Sequence, residues 1–375
     1  MKKLKIGTLF SGIGAFEQVL EILSIPHDIQ FACDNGGLEL ETIATNEELE
    51  KIKELNSSDK LEYVESVYKK YKKKIYTEQS YLANYDLNEE NFYHDVRFIG
   101  SHINKPIDIL VGGSPCQSFS IVGKRGGFED TRGTLFFEFA RCVKEFQPKV
   151  FIYENVKGLI NHDGGKTFET VLNTFEELGY KYYYQLMNAK DYGIPQSRTR
   201  IFVIGFKSHE INFAFPNKKE LTTTMANFLE EDYLSIIQKN KKNMNFLRIK
   251  NKSPGYMPGK NFDKYCLSEK MIQYIMKEKS GNAILKPTIN DLVAKTLVAT
   301  MHKMHKASFD NYVNTANNRI RRLTPREALR LMGFCDSFKQ VVSDVQMYKQ
   351  AGNSIVVDVL MEIMQEIIKT GVFNE

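Results

Sequence analysis

The chain has 375 residues with a formal net charge of +5, and its 42% hydrophobic and 26% charged residues are an ordinary globular balance. No apolar run approaches the ~20 residues of a membrane span, and the N-terminal residues lead into strand pattern rather than a signal peptide, so we expect a cytoplasmic protein. The five cysteines are scattered and form no CxxC pair, so the sequence predicts neither a disulfide framework nor a metal site.

A glycine loop follows the first predicted strand. Residues 3–10 form a short apolar run that leads into Ser11-Gly12-Ile13-Gly14, and helical spacing follows over residues 15–23. In such a turn the glycines let the backbone approach a ligand, and the helix offers free N–H groups. Glu17 stands where a dinucleotide-binding loop has its third glycine, which argues against NAD binding. Two interpretations remain: the loop binds a small adenosyl ligand, or it is an ordinary tight turn.

A charged segment interrupts the pattern after the second predicted strand. Residues 29–33 predict that strand, and Asp34 behind it is placed to bind ribose hydroxyls, with a surface turn as the alternative. Residues 39–85 carry helical apolar stripes separated by Asn56-Ser57-Ser58-Asp59, which can cap a second helix. We therefore predict a helical hairpin inserted between strands, without visible chemistry.

The remaining strands alternate with helices and have polar residues at their ends. Strands are predicted at 92–96, 107–111, 150–153, 180–187 and 200–206, with helices at 134–146 and 167–178. This alternation favours an α/β fold with a mostly parallel sheet and helices on both faces. Strand ends of such a sheet converge on one crevice, so we expect Cys116, Glu154, Arg198 and Arg200 to lie close together.

Cys116 follows two residues with restricted backbone conformations and precedes a glycine-rich segment that we expect to be flexible. Pro115 fixes its own φ angle and restricts Ser114 to extended geometry. The segment 121–132 is rich in glycine and contains Lys124 and Arg125. The pattern indicates a nucleophile followed by a basic flap; the alternative is a buried, inert cysteine in a strand-end turn.

The pattern weakens after Pro216, where a less regular and more basic region begins. Residues 235–306 contain 15 Lys plus Arg against 4 Asp plus Glu. Such a segment is typical of a polyanion-binding surface, although a solvated lysine-rich face is the alternative. We predict three parts: a first catalytic part at 1–214, a smaller irregular domain at 215–318, and a C-terminal part at 319–375 that completes the catalytic fold.

Six short motifs, in the same order and across nearly the whole chain, resemble those of the DNA (cytosine-5) methyltransferases. They are Leu9–Gly14, Gly113–Ser120, Glu154–Val156, Gln196–Arg200, Arg322–Phe334 and Gly352–Val356. The resemblance is to the prokaryotic type II restriction-modification methyltransferases. It implies a Rossmann-like, S-adenosylmethionine-dependent methyltransferase sheet with a smaller target-recognition domain.

The resemblance implies covalent catalysis on a cytosine ring. Cys116 would add to carbon 6, so that carbon 5 can accept a methyl group from S-adenosyl-L-methionine, with S-adenosyl-L-homocysteine as the product. A free thiol has a pKa of about 8.5, so Arg198 or Arg200 would supply positive charge, and Arg200 would also contact the ring oxygen. Glu154 would hold ring N3 and the exocyclic amine and act as a general acid. The alternative for Glu154 is a buried carboxylate that caps a turn, and the alternative for the arginines is a structural ion pair.

The resemblance also implies the residues that bind the cofactor and DNA. The cofactor-binding residues would be Phe10, Gly12, Ile13, Gly14, Asp34, Asp95, Val96, Pro115, Leu135, Asn353 and Ser354. Asn35 stands where the family often has an aromatic residue, and Asp34 where a glutamate is usual. The target base must leave the duplex to be reached. The DNA contacts would be Gln117, Ser120, Lys124, Arg125, Thr296 and Lys303.

The implied partners are double-stranded DNA and a separately encoded restriction endonuclease, with the enzyme a monomer on DNA in a prokaryotic nucleoid. An RNA (tRNA) cytosine-5 methyltransferase of the same fold and a non-catalytic DNA-binding module remain the alternatives. The missing third glycine disfavours a nicotinamide oxidoreductase. A non-enzyme would have no need of the cysteine, the glutamate and both arginines together.

Overall fold

The computed structural model describes residues 2–71, 74–115, 135–230, 262–277, 279–280, 283–284, 288–303, 306–314 and 319–374. The chain divides into two compact units. The first comprises Met1–Met187, Thr199–Pro216 and Ile363–Glu375, and the second comprises Asn188–Arg198 and Asn217–Glu362. Within the described residues, no helix combines the length and the apolar character needed to cross a bilayer.

A seven-stranded sheet forms the centre of the first unit. Its strands are β1 (Leu4–Leu9), β2 (His27–Cys33), β3 (Phe92–Tyr93), β4 (Ile109–Gly112), β5 (Val150–Val156), β6 (Lys181–Asn188) and β8 (Thr199–Phe206); β7 (Gln196–Ser197) belongs to the second unit. The sheet order is β3-β2-β1-β4-β5-β8-β6. The four pairs from β3 to β5 are parallel, and β8 runs antiparallel to β5. The predicted α/β fold with a mostly parallel sheet is therefore confirmed.

Helices α1 (Ala15–Ile22), α6 (Leu135–Phe146) and α7 (Lys166–Glu177) accompany this sheet. Each has apolar residues at helical spacing, and those residues are buried. Aromatic rings from α7 and β5 meet in the core, where the centroids of Phe175 and Phe151 are 4.3 Å apart. Because this core encloses β5 up to Tyr153, the residues at the end of β5 project from a rigid support.

The charged insertion contains four helices, so the prediction of a two-helix hairpin is wrong. They are α2 (Leu40–Ile43), α3 (Asn46–Glu54), α4 (Ser57–Lys70) and α5 (Tyr76–Asn84). A capping box between Thr45 and Glu48 starts α3. The predicted cap at Asn56 is confirmed, since its side chain accepts from the Asp59 N–H at 3.0 Å. The insertion encloses its own small apolar core around Val64 and Tyr68.

The second unit has short strands and capped helices. Its described elements are β9 (Lys279–Ser280), β10 (Ala283–Ile284), β11 (Ala294–Lys295), β12 (Tyr312–Asn314), β13 (Ile320–Arg322), α8 (Glu269–Met276), α9 (Pro325–Leu331), α10 (Asp344–Asn353) and the start of α11 (Val357–Lys369). Helix α9 opens on a capping box between Thr324 and Glu327. Glu327 also forms a fully buried ion pair with Arg321 at 2.8 Å. The sequence Thr324-Pro325-Arg326-Glu327 predicts the start of a helix, which α9 confirms. The sequence also predicts a last helix at 354–368, but α11 starts three residues later, and α10 was not predicted.

The compact units do not follow the predicted functional parts. Residues 319–362 lie in the second unit, whereas the sequence assigned them to the catalytic fold. Compactness alone does not define what a domain binds, so the division into catalytic and recognition domains stays a prediction.

Candidate active site

A carboxylate and a guanidinium meet where β5 and β8 pair. Glu154 lies near the end of β5, and the antiparallel register sets Arg200 opposite Val156. Arg200 Nε lies 3.1 Å from Glu154 Oε1, and the two side chains are 19% and 12% exposed. This mostly desolvated contact fixes the direction of the carboxyl group and sets positive charge beside it.

The loop after β4 is tied to the end of β5. A Cβ on Gly113 would lie 2.8 Å from the backbone oxygen of Glu154 and 3.0 Å from its Oε2, so only glycine permits this approach. The buried Ser114 hydroxyl hydrogen-bonds Tyr153 at 2.8 Å, and the Asn155 amide donates to the Ser114 carbonyl at 2.9 Å. These bonds fix the direction in which the chain leaves the sheet.

The predicted nucleophile lies just beyond this loop and outside the described residues. The same is true of the flap 121–132 and of the predicted DNA contacts in this region. The residues concerned are Cys116, Gln117, Ser120, Lys124 and Arg125. Pro115 is the last described residue before them, and it is exposed.

The glycine loop and Asp34 come together at the ends of β1 and β2. The Gly12 N–H donates to Asp34 Oδ2 at 2.9 Å, and the Gly36 N–H donates to Oδ1 at 2.8 Å. Phe10 has a φ of 53°, an uncommon left-handed conformation for a bulky residue, and Gly14 has a φ of 78°. The loop therefore holds a set geometry and orients the carboxylate that the sequence assigned to ribose.

Asp95 follows β3 and is buried against an arginine. Its carboxylate accepts from Arg97 Nε at 2.9 Å and from Arg97 Nη2 at 2.6 Å. Burial opposes the charge of Arg97, but its hydrogen bonds to Asp95 and Glu41 raise its pKa above the ordinary value. Arg97, which was not predicted from the sequence, thus neutralises the charge of Asp95, a predicted cofactor-binding residue. Val96 beside Asp95 is buried, and Leu135 at the start of α6 is half-buried.

Arg198 has a different environment from Arg200, although only one residue separates them. In the second unit Arg198 is 4% exposed, and its guanidinium donates to the carbonyls of Leu297 at 2.8 Å, Ser354 at 2.8 Å and Gly352 at 3.2 Å. These bonds hold the backbone around Ser354 in place. They agree with the alternative interpretation, in which the arginine has a structural role. A catalytic role for Arg198 stays a prediction.

Four other predicted residues also lie in the second unit. Thr296 donates to the Ser197 carbonyl at 2.5 Å, beside the parallel pair β7 and β11. Asn353 and Lys303 are exposed, and Ser354 is buried. The predicted residues that the structure describes are thus divided between the two units.

Sequence reasoning missed two tyrosines at the glycine loop. The Tyr85 hydroxyl donates to the Gly14 carbonyl at 2.7 Å, and the Tyr81 hydroxyl donates to Glu17 at 2.5 Å. Burial raises the pKa of Glu17, while the bonds from Tyr81 and Thr8 oppose the rise. Their spacing of four residues on a helix was the available signal, but nothing in the sequence identified what that face contacts.

The first unit thus has an α/β fold that holds a glycine loop with an acidic partner just after the next strand, together with an oriented carboxylate and guanidinium. The sequence model of the C-5 cytosine-specific DNA methylase family matches residues 62–369. The chain therefore belongs to this family, as its motifs predicted, and is a DNA (cytosine-5) methyltransferase by class.

Curated relatives and solved structures agree with this assignment. The chain is 37% identical over 270 residues to the Type II methyltransferase M1.ScrFI of Lactococcus lactis subsp. cremoris, a match that covers 70% of this chain and 62% of that protein. It is 38% identical to M.HpaII of Haemophilus parainfluenzae, covering 71% and 73%. The S. pombe Dnmt2 crystal structure superposes with a TM-score of 0.64 at 15% identity, covering 98% and 99%, which shows a shared fold.

Proposed function

We propose that this protein transfers a methyl group from S-adenosyl-L-methionine to carbon 5 of a flipped cytosine in a specific duplex sequence. The observation that carries the proposal is the pairing of Glu154 with Arg200 at 3.1 Å, next to the loop that leads to Cys116. A carboxyl and a guanidinium in fixed orientation suit a planar ring with a carbonyl, a ring nitrogen and an amine.

Cys116 acts as the nucleophile in this proposal. Its thiolate sulfur bonds to carbon 6 of cytosine, and the electron pair of the 5,6 double bond moves so that carbon 5 becomes nucleophilic. After carbon 5 is methylated, a base removes its proton, the sulfur–carbon bond breaks, and the thiolate is regenerated. The addition is reversible, so Cys116 is not consumed.

Glu154 and Arg200 manage charge on the ring during these steps. The carboxyl of Glu154 contacts ring N3 and the exocyclic amine and supplies a proton as electron density builds there. Arg200 contacts the ring oxygen and keeps positive charge near the developing anion. Their present contact keeps both groups oriented before the base arrives, which reduces the reorganisation needed for reaction.

The glycine loop and Asp34 fit the proposed cofactor, whose sulfonium supplies the methyl group. Apart from Gly12 and its two chain neighbours, no described residue has an atom within 4 Å of the position that a Cβ on Gly12 would take, which leaves space for a ligand there. Asp34, oriented by two N–H groups, is suited to accept from ribose hydroxyls. The residues of the first unit that the motifs assign to this site are Phe10, Ile13, Gly14, Asp95, Val96, Pro115 and Leu135.

The proposed partner is duplex DNA, bound by a monomer in the cytoplasm. Relatives named Type II methyltransferases support a further proposal, that the enzyme protects sites from a separately encoded restriction endonuclease. Target recognition is assigned to residues 215–318, including Thr296 and Lys303, and phosphate contacts to the segment that holds Lys124 and Arg125.

Trapping with 5-fluorocytosine tests the covalent step. A random-sequence duplex library with 5-fluorocytosine in place of cytosine, incubated with S-adenosylmethionine, should form a protein–DNA adduct that survives denaturing electrophoresis. Fluorine cannot leave as the proton does, so elimination of the sulfur is blocked. Sequencing the trapped DNA would also identify the site.

Two variants and a second substrate give the test its controls. Cys116→Ser should abolish the adduct, whereas Cys266→Ser, at a half-buried cysteine in the second unit, should retain it. Normal trapping by Cys116→Ser would overturn the mechanism. Methylation of transfer RNA with no methylation of the duplex would instead support the RNA alternative.

A further inference from the structure

Tyr85, the residue just after α5, covers Gly14 of the glycine loop. Its hydroxyl donates to the Gly14 carbonyl at 2.7 Å. A Cβ placed on Gly14 would lie only 2.1 Å from the nearest carbon of the tyrosine ring. The ring therefore rests directly on the backbone where α1 begins, and its hydroxyl fixes the peptide plane between Gly14 and Ala15.

Tyr81, one turn earlier on the same face of α5, contacts the first turn of α1. Its hydroxyl donates to Glu17 Oε1 at 2.5 Å, and Thr8 of β1 donates to the same oxygen at 2.8 Å. Glu17 is 1% exposed, so this carboxylate is bonded within the protein. The Tyr81 and Tyr85 ring centroids are 5.0 Å apart, so the two rings form one packed surface against the loop.

The insertion that carries α5 is anchored at other points of the same unit. His94, just after β3, hydrogen-bonds Glu65 of α4 at 2.6 Å and stacks on Tyr68, with ring centroids 4.9 Å apart. Arg97 pairs with Glu41 of α2. Helix α5 is thus part of a body attached to the sheet, and it can resist displacement of the loop.

We propose that α5 is a positioning element for the methyl donor, with Tyr85 and Tyr81 as its positioning residues. They hold Gly14 and the first turn of α1 in the observed conformation, beside Gly12 of the proposed ligand site. Gly14 has a left-handed backbone, and the hydrogen bond from Tyr85 to its carbonyl fixes the orientation of the following peptide group. This inference rests on the proposed use of the Gly12–Gly14 loop for S-adenosylmethionine.

Removal of single hydroxyl groups tests the proposal in the full-length protein. Tyr85→Phe and Tyr81→Phe keep the packed rings and lose only the hydrogen bonds. We expect each to weaken S-adenosylhomocysteine binding about threefold to tenfold, the effect of a typical hydrogen bond, as measured by titration calorimetry without DNA. The control is Tyr63→Phe on α4, whose ring faces Lys51 at 4.4 Å; its affinity should equal that of the wild type.

Steady-state kinetics separate positioning from a general structural role. For Tyr85→Phe, the KM for S-adenosylmethionine should rise by the same factor as the dissociation constant, with kcat and the KM for DNA within about twofold of the wild type. A fall in kcat without a change in either cofactor constant would indicate a smaller folded fraction and would overturn the positioning role.

The outcome for the wild type separates the two proposals. If it binds S-adenosylhomocysteine and both variants bind equally well, the positioning role is wrong and the proposed function stands. If the wild type itself binds neither the cofactor nor its product, the proposed function fails and the inference fails with it.

Discussion

At the scale of single residues, two arginines separated by Thr199 have different surroundings. Arg200 lies on β8 and meets Glu154, whereas Arg198 lies just before β8 and donates to three backbone carbonyls in the second unit. The sequence predicted that either could supply charge to the thiol. Only the contacts of the folded chain distinguish their environments.

Glu154→Gln tests the role of the carboxyl group. Glutamine keeps the size and the contact with Arg200 but cannot donate an acidic proton, so kcat should fall about 10²- to 10⁴-fold while the thermal midpoint changes little. Methyl transfer to duplex DNA and thermal unfolding would measure the two effects. Glu176→Gln, at an exposed position on α7, is the matched control and should leave both unchanged. A lower midpoint with an unchanged kcat would assign the ion pair to stability alone.

At the scale of elements, the insertion 39–85 contacts the glycine loop through Tyr85, although its sequence predicted only a helical hairpin without visible chemistry. Helices α4 and α5 supply the groups that surround His94. Its Nδ1 lies 2.6 Å from Glu65, and its Nε2 lies 3.5 Å from Glu78. An imidazolium between two carboxylates joins these helices to the end of β3.

The stability contributed by this junction should depend on pH. Burial opposes the charge of His94, but Glu65 and Glu78 outweigh it and raise the pKa to about 9, against about 6.5 in the unfolded chain. Because the folded pKa is the higher one, the contribution is complete below about pH 6.5 and is lost as pH rises through about 9. Linkage limits it to about 3 kcal/mol.

Urea unfolding of the wild type and of His94→Gln, from pH 6 to pH 10, would measure this contribution. The wild type should be more stable at pH 6, and the difference should shrink as pH rises. His209→Gln, at an exposed histidine, should follow the wild-type profile. A difference between wild type and His94→Gln that stays constant over this range would contradict the assignment.

At the scale of the whole molecule, the net charge of +5 is distributed unevenly along the chain. Residues 235–306 hold an excess of 11 positive charges, so the rest of the chain is slightly negative. Much of this segment lies outside the described residues, and the prediction therefore rests on composition. A basic surface that contacts DNA phosphates makes binding depend strongly on salt.

Replacing Lys239, Lys241 and Lys242 together with glutamine should reduce this dependence. If each contacts a phosphate, the slope of log K against log salt should fall by about 0.9 per lysine. Fluorescence anisotropy on a nonspecific duplex, measured between about 50 and 300 mM salt, gives the slope.

A second triple variant serves as the charge-matched control. Replacement of Lys53, Lys69 and Lys70 on the insertion removes the same charge and should leave the slope unchanged. Equal slopes in all three proteins would place the phosphate contacts elsewhere.

Patterns in the amino-acid sequence were sufficient to predict the α/β class, most strand positions and the family. Those depend on local patterns: apolar runs of strand length, glycine turns and short motifs in a set order. The cap at Asn56 and the start of α9 were predictable for the same reason, since capping joins residues only three positions apart.

The contacts between side chains that are distant in the sequence became known only from the folded chain. The contacts of Tyr85 with Gly14, of Arg97 with Asp95 and Glu41, and of Arg198 with the carbonyl of Ser354 depend on burial and on packing between distant segments. A polar group that leaves water must find a partner inside the fold. Sequence spacing does not encode which partner that is, because the choice is made when the elements pack together.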